Sequence, residues 1–362
     1  MNDRNDSWAG ASELAAMVIA GPDDRMYSTR PKPLHLLCGR PMVRYVLDAV
    51  DDLATGRIVI VADGTASEMA KRLTTVAADP RLVVADHGGG GDTGDAVDAG
   101  LRPFADDFSD DDLLVLRADM PLIGAASVHE LVAAHRVSGA AATILTVPTA
   151  EAPRGAPRIV AGRDGEPARL TAADTIDGRD ALHASAGAFC FRRALLAPAL
   201  RRVMPDLDGK TSLDGVIEVL TEAGHRIATA ECAHPDEAAI VNDRLQMADA
   251  EAIIRHRTNR HWMERGVTML DPARTYLDVT VTLAADVTLF PGTMLQGSTV
   301  VGSGAEIGPD TRLVDCAIGG SARVEKTMGR DAEVGSGAHV GPFAVLEPGA
   351  HIAPAAVTGP FY

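Results

Sequence analysis

In the stretch "LAADVTLFPGTMLQGSTVVGSGAEIGPDTRL" (283–313) an aliphatic residue returns every six positions: Leu283, Leu289, Leu295, Val301, Ile307 and Leu313. After a slip come Ile318 and Val324, and after another Val334, Val340, Leu346 and Ile352. Glycines and small residues cluster between them, as in "VGSGAE", "IGPDTR", "VGSGAH" and "VGPFAV". A period of six matches neither a helix at 3.6 nor a hairpin ladder at 2. It matches a coil with three short flat faces, each giving one aliphatic to a central column, so that about 18 residues make one turn. A single rung has no partner for its apolar face, so the rungs must stack into a parallel β-helix.

The chain has 362 residues, enough for two or three domains. Its formal charge of −16 argues against nucleic acid and anionic membrane as partners. Hydrophobic residues make up 46%, yet no apolar run approaches a membrane span. The polar, acidic segment Met1–Glu13 lacks a signal-peptide core, and 1–14 reads as the disordered tail of a cytoplasmic protein. Cys38, Cys190, Cys232 and Cys316 are widely spaced, which predicts reduced, partly buried thiols rather than a zinc site.

Residues 15–243 alternate short apolar runs with amphipathic ones. "AAMVIAG" (15–21), "RIVIVAD" (57–63), "RLVVAD" (81–86) and "LLVLRAD" (113–119) read as buried parallel strands. Helical periodicity covers 42–54, 66–77 and 93–103, giving an α/β open sheet with helices on both faces. Ligands of such sheets bind beyond the carboxyl ends of the strands. The loop 21–33, the glycines Gly88–Gly91 and Asp119 all lie there. Residues 244–266 read as one long linking helix and 267–362 as the β-helix. The acidic cluster Asp106, Asp107, Asp110, Asp111 and Asp112 reads as a solvated turn.

The loop "GPDDRMYSTRPKPLH" (21–35) opens with glycine and carries Arg25, Arg30 and Lys32. Backbone N–H groups and fixed cations are what a triphosphate requires. Asp119 in "LRADMP" could hold Mg²⁺ together with phosphate oxygens, or simply cap a turn. Asn242 in "IVNDRLQ" could add a second oxygen ligand.

The segments "RMYSTRPKPLH", "LCGRPMVRYVLDAV", "TGDAV", "RADMPLI", "VNDRLQ", "GVTMLDPARTYLDVTV" and "VGPFAVLEPGA" together resemble a bacterial family. It is that of the bifunctional N-acetylglucosamine-1-phosphate uridyltransferase and glucosamine-1-phosphate acetyltransferase, and the likeness runs from about 15 to 352. The resemblance implies a nucleotidyltransferase domain of the dinucleotide-binding type, a linking helix, a left-handed parallel β-helix, Mg²⁺ as cofactor and a homotrimer. It implies that Arg25 and Lys32 steady the phosphates and that Asp119 and Asn242 hold the metal. It aligns Ala20, Gly21, His87, Asp92 and Thr93 with the nucleotide site, and Gly155, Pro157, Thr171 and Ser185 with the sugar-phosphate site.

The departures from that family are as informative. Asp23 and Asp24 replace a glycine and a threonine in the phosphate loop, which opposes close approach of an anion. His87 stands for a uracil-reading glutamine, and Asp92 would suit a base with an amino donor. Pro157, Thr171, Ser185 and Arg117 replace a glycine, a glutamate, an asparagine and a tyrosine of the sugar pocket. Sites that lose such pairs lose large factors in recognition. Glu347 replaces an arginine of the acetyltransferase site, and the β-helix is truncated relative to the family, which predicts no acetyl transfer. Two readings follow: a transferase joining a nucleoside triphosphate to a sugar-1-phosphate or related phosphate with altered specificity, or an impaired paralogue that binds nucleotide in a regulatory role.

Overall fold

A computed structural model describes residues 14–20, 25–53, 55–62, 71, 79–88, 92–104, 111–153, 155–162, 165–172 and 183–360. The expected tail, Gly21, Asp23, Asp24, most of the helix expected at 66–77, three of the four glycines of 88–91, and Asp106, Asp107 and Asp110 lie outside these. The chain divides into two compact units, one formed by 1–35 and 41–246, the other by 36–40 and 247–362.

The first unit is built on one sheet. Its strands are β1 (Leu14–Ile19), β2 (Thr55–Ala62), β3 (Leu82–Asp86), β4 (Asp112–Arg117), β5 (Ala142–Pro148), β6 (Arg158–Ala161), β7 (Pro167–Thr171), β8 (His183–Arg192) and β9 (Ile227–Glu231). The order is β9-β5-β8-β4-β1-β2-β3, and the ribbon β6–β7 attaches to β8. β1 pairs in parallel with β2 and β4, and β2 with β3. Strand β8 runs antiparallel to both neighbours, β4 and β5.

Side chains alternate across a strand. Ala16, Val18, Ile58, Ile60, Leu114 and Leu116 therefore enter one core, and Ala15, Met17, Val59, Val61, Leu113 and Val115 the other. Helices α1 (Met42–Asp51) and α3 (Ala125–Ser138) cover the first face through Val46, Leu47, Leu131 and Val132. Helices α2 (Thr93–Leu101), α4 (Arg193–Leu200) and α5 (Gly215–Glu222) cover the second through Val97, Leu196, Val216 and Ile217. Each such buried aliphatic contributes roughly 1.5–3 kcal/mol of transfer free energy.

The acidic run departs from its reading as a solvated turn. Asp111 and Asp112 are buried. Asp111 pairs with Arg193 at 3.2 Å, and Asp112 with Arg136 at 3.3 Å. The two carboxylates are accommodated inside because guanidinium groups from α3 and α4 pair with them.

The second unit carries most of helix α6 (Arg244–Met263) and then three five-stranded parallel sheets of two- and three-residue strands, the architecture of a left-handed parallel β-helix. All twelve periodic aliphatics from Leu283 to Ile352 are buried in one column. The first slip shortens the coil: Thr282 pairs with Val300 eighteen residues on, but Val300 pairs with Ala317 after seventeen. At the second slip the inward place belongs to Gly329, between Leu313 and Leu346. A side chain there would meet Leu313 Cδ2 at 3.0 Å and Cys316 Sγ at 3.5 Å, so neighbouring groups already fill the slot. Buried threonines close the corners: the hydroxyls of Thr293, Thr299 and Thr327 each donate to a nearby carbonyl at 2.7 Å. The four cysteines are free and buried. No described helix is long and apolar enough to cross a membrane.

Candidate active site

The carboxyl end of β4 carries the most constrained charge cluster of the first unit. Asp119 is 1% exposed, and Lys32, 87 residues earlier, is 3% exposed. The Lys32 ammonium donates to Asp119 Oδ2 at 2.7 Å. Arg117 adds two bonds, Nε to Oδ1 at 3.0 Å and Nη2 to Oδ2 at 2.9 Å. Burial alone would raise the Asp119 carboxyl, but the charges of Arg117 and then Lys32 hold it below the usual carboxylate range. Asp119 is therefore an anion at neutral pH, neutralised by two cations.

Lys32 reaches this place because "RPKPLH" starts a short 3-10 turn after Pro31, with Lys32, Pro33 and Leu34 all buried. The 241–242 loop is tied in through the backbone: Val241 N–H donates to the Asp119 carbonyl at 2.9 Å. Asn242 follows, its N–H donating to Gln246 Oε1 at 2.7 Å. Asp119 and Asn242 thus bracket one backbone contact and offer two hard oxygen donors, the chemistry that suits Mg²⁺. Among the described residues no group of three or more acidic, histidine or cysteine side chains forms a metal cage, so phosphate and water would have to complete the shell. Both Asp119 oxygens already accept from cations, and an ion entering there competes with Arg117.

Arg117 also borders a cavity of about 190 Å³ beside the strand ends, which gathers Asp92, Thr93, Pro157 and Ser185. These four come from α2, the 155–157 turn and β8. A bulge in β8 between Ser185 and Phe189 shapes one wall. There Gly187 has φ +83° and lies against Arg117, where a Cβ would stand 3.4 Å from its Cδ. Ser185 N–H donates to the Pro157 carbonyl at 2.8 Å, joining two lining segments.

Ser212, Leu213 and Asp214 also line the cavity, in a segment stitched to the start of α2. Gly94 N–H donates to Thr211 O at 2.8 Å, Thr211 N–H to Asp95 Oδ2 at 3.1 Å, and Leu213 N–H to Thr93 Oγ1 at 3.1 Å. Gly94 is required here, since a Cβ would sit 2.6 Å from the Thr211 carbonyl oxygen. Asp92 caps α2 in a capping box with Asp95. The stitching carries Asp214 to the same cavity as Asp92. Asp214 does not cap the helix that follows it. Burial, and then the Asp92 carboxylate, push Asp214 up to about 6 while Arg117 pulls the other way.

The remaining sequence-selected residues lie elsewhere. Ala20 is buried at the end of β1, its N–H bonded to Val61 O at 2.8 Å. Arg25 is exposed. His87 borders a separate, open depression with Asp95, Asp98 and Arg102. Gly155 is exposed at φ +85°, and Thr171 ends β7 opposite Arg158. Sequence reasoning missed Asp214, which belongs to no motif, and the two hydrogen bonds that Arg117 donates to Asp119. The i, i+2 spacing of arginine and aspartate at a strand end was the one available signal for the latter.

A model of the MobA-like NTP transferase domain matches residues 16–223. The bifunctional protein GlmU of Streptomyces avermitilis is 38% identical over 357 residues, covering 96% of this chain and 72% of the relative. The chain belongs to the GlmU family. The GlmU proteins of Micrococcus luteus (35% identical; 98% of this chain and 74% of the relative) and Halalkalibacterium halodurans (32%; 93% and 73%) agree. The family match places the Lys32–Asp119–Arg117 cluster and the cavity inside an NTP transferase domain, and nucleotidyl transfer is the activity that both comparisons support.

Proposed function

We propose that the chain joins a nucleoside triphosphate to a sugar-1-phosphate, or a closely related phosphate, and releases pyrophosphate. An acceptor phosphate oxygen attacks the α-phosphorus, the bond from α-phosphorus to the bridging oxygen breaks, and that oxygen leaves on pyrophosphate. Such transfers depend on positioning and on neutralising charge. The observation that carries the reading is the cluster of buried Lys32 and Asp119 with half-buried Arg117, beside a cavity of sugar-ring size. In this reading Lys32 and exposed Arg25 bind phosphate oxygens, and the cavity orients the acceptor. Mg²⁺, held by Asp119 and Asn242, would supply further positive charge to the phosphates.

Specificity differs from the family's in this reading, because Arg117, Pro157 and Ser185 line the cavity in place of a tyrosine, a glycine and an asparagine. We assign no acetyl transfer to the described coils, on the ground of Glu347. We also propose a homotrimer formed through one β-helix face. The sheet bearing Tyr276, Met294, Met328 and Val345 turns these four apolar side chains to solvent.

Pyrophosphate release across four nucleoside triphosphates and a panel of sugar-1-phosphates tests the activity. Turnover reduced at least ten-fold in kcat/KM by Arg25→Ala supports it. A second reading rests on Arg117: with both Asp119 oxygens occupied, the protein binds nucleotide without turning it over. Nucleotide binding without pyrophosphate release across the panel would favour that reading.

A further inference from the structure

The cavity lined by Asp92, Arg117, Ser185 and Asp214 has an unbalanced charge. It contains two carboxylates and one guanidinium. The guanidinium is already committed, since Arg117 gives Nε and Nη2 to Asp119. Asp92 is satisfied by backbone N–H at the start of α2. Asp214 is not: no side-chain cap bond is made to α5, and no donor among the described residues bonds its carboxylate. A half-buried carboxylate that shares a cavity with a second one is costly unless a cation meets it. Burial, and then the Asp92 carboxylate, raise the Asp214 pKa accordingly.

The size of the space narrows the ligand. An apolar cavity of about 150 Å³ takes benzene, so 190 Å³ takes one six-membered ring with small substituents. Its walls are mixed, with Ser185 and Arg117 on one side and Pro157, Phe189 and Ile240 around them. A polyhydroxy ring fits such a lining, and the two carboxylates ask for a positive substituent on it. The amino group of a nucleobase donates hydrogen bonds but carries no charge, so it leaves the imbalance in place.

Resting on the transferase reading above, we propose that Asp214, seconded by Asp92, selects a phosphorylated sugar bearing a protonated amine over its neutral and N-acylated counterparts.

Calorimetric binding of glucosamine-1-phosphate, N-acetylglucosamine-1-phosphate and glucose-1-phosphate to the full chain at pH 7.5 tests this without requiring turnover. The amine should bind at least ten-fold more tightly than either neutral ligand. Asp214→Asn should abolish the preference while leaving the circular dichroism spectrum unchanged. Asp92→Asn, which keeps an N-cap residue, should reduce it in part. Equal or tighter binding of a neutral ligand, a preference that survives Asp214→Asn, or no binding of the amine overturns the proposal. So does an Asp214→Asn effect on cytidine or guanosine triphosphate in place of the sugar phosphate. Pyrophosphate release is scored separately: its absence with every pair removes the transferase reading, while the binding preference still decides the role of Asp214.

Discussion

Arg117 and Asp119 stand two residues apart at the end of β4 and are joined by two hydrogen bonds, 3.0 Å from Nε and 2.9 Å from Nη2. A guanidinium so placed gives the carboxylate the charge that a divalent ion would otherwise bring. Replacing Arg117 should therefore open the carboxylate. Mn²⁺ binding followed by electron paramagnetic resonance should tighten about ten-fold in Arg117→Ala, the equivalent of about 1.4 kcal/mol. Unchanged affinity would mean that the guanidinium does not compete with the ion.

Removing the other partner has a different cost. Asp119→Ala leaves Lys32, 3% exposed, without its counter-charge. Loss of one member of a buried pair typically costs about 3–5 kcal/mol, readable as a lower urea midpoint. The pH dependence has a definite sign. The folded-state pKa of Asp119 lies below its unfolded value, so its contribution is present above about pH 4 and disappears as pH falls through the lower, native value.

Asp214 has the reverse sign. Its native pKa of about 6 lies above the unfolded value, so the ionised form destabilises the fold. Above pH 6 that cost is fully expressed, and it vanishes below about pH 4. Asp214→Asn should raise stability at pH 8 by up to about 3 kcal/mol, with no gain at pH 4. Denaturant titrations at both values check this, and a gain independent of pH would exclude the electrostatic cause. A stabilising change that also weakens ligand binding would mark Asp214 as retained for recognition.

Gly94→Ala drives a methyl group to 2.6 Å from the Thr211 carbonyl oxygen. The strand-like stitch between 92–95 and 211–214 must then part. Overpacking of this kind costs about 1–3 kcal/mol, and calorimetry should show weakened acceptor binding as Asp214 moves away. Retained affinity would show that the stitch does not position the cavity wall.

The assembly prediction concerns one β-helix face. Met328 and Val345, each more than half exposed, sit in consecutive coils of one sheet. The double variant Met328→Glu and Val345→Glu should convert the proposed trimer to monomer in light scattering, leaving the inward aliphatics and the far-ultraviolet spectrum untouched. A mass unchanged by the substitutions would place the contact elsewhere.

The β-helix was legible because its rule is local: each of the twelve periodic aliphatics from Leu283 to Ile352 is buried as its spacing predicts. The strands at Leu14, Thr55, Leu82 and Asp112 were legible for the same reason, being apolar runs bounded by breaks in pattern. What spacing alone could not reach was which distant charges meet. Asp111 and Asp112 are drawn inside by Arg193 and Arg136, two residues that no pattern links to them. His87 and Asp92 are five apart in sequence, yet they border different depressions. Asp214 entered through hydrogen bonds of its neighbours to Thr93, Gly94 and Asp95, more than a hundred residues away.

The cavity walls are scattered from Ile19 to Ile240 along the chain. A polypeptide emerging from the ribosome holds Asp92 and Arg117 long before the last wall exists. At roughly 5–20 residues per second, the interval between synthesis of Asp92 and of Ile240 is about 7–30 s. During that time the growing chain lacks part of the cavity lining, and the proposed acceptor site is complete only once Ile240 has been added.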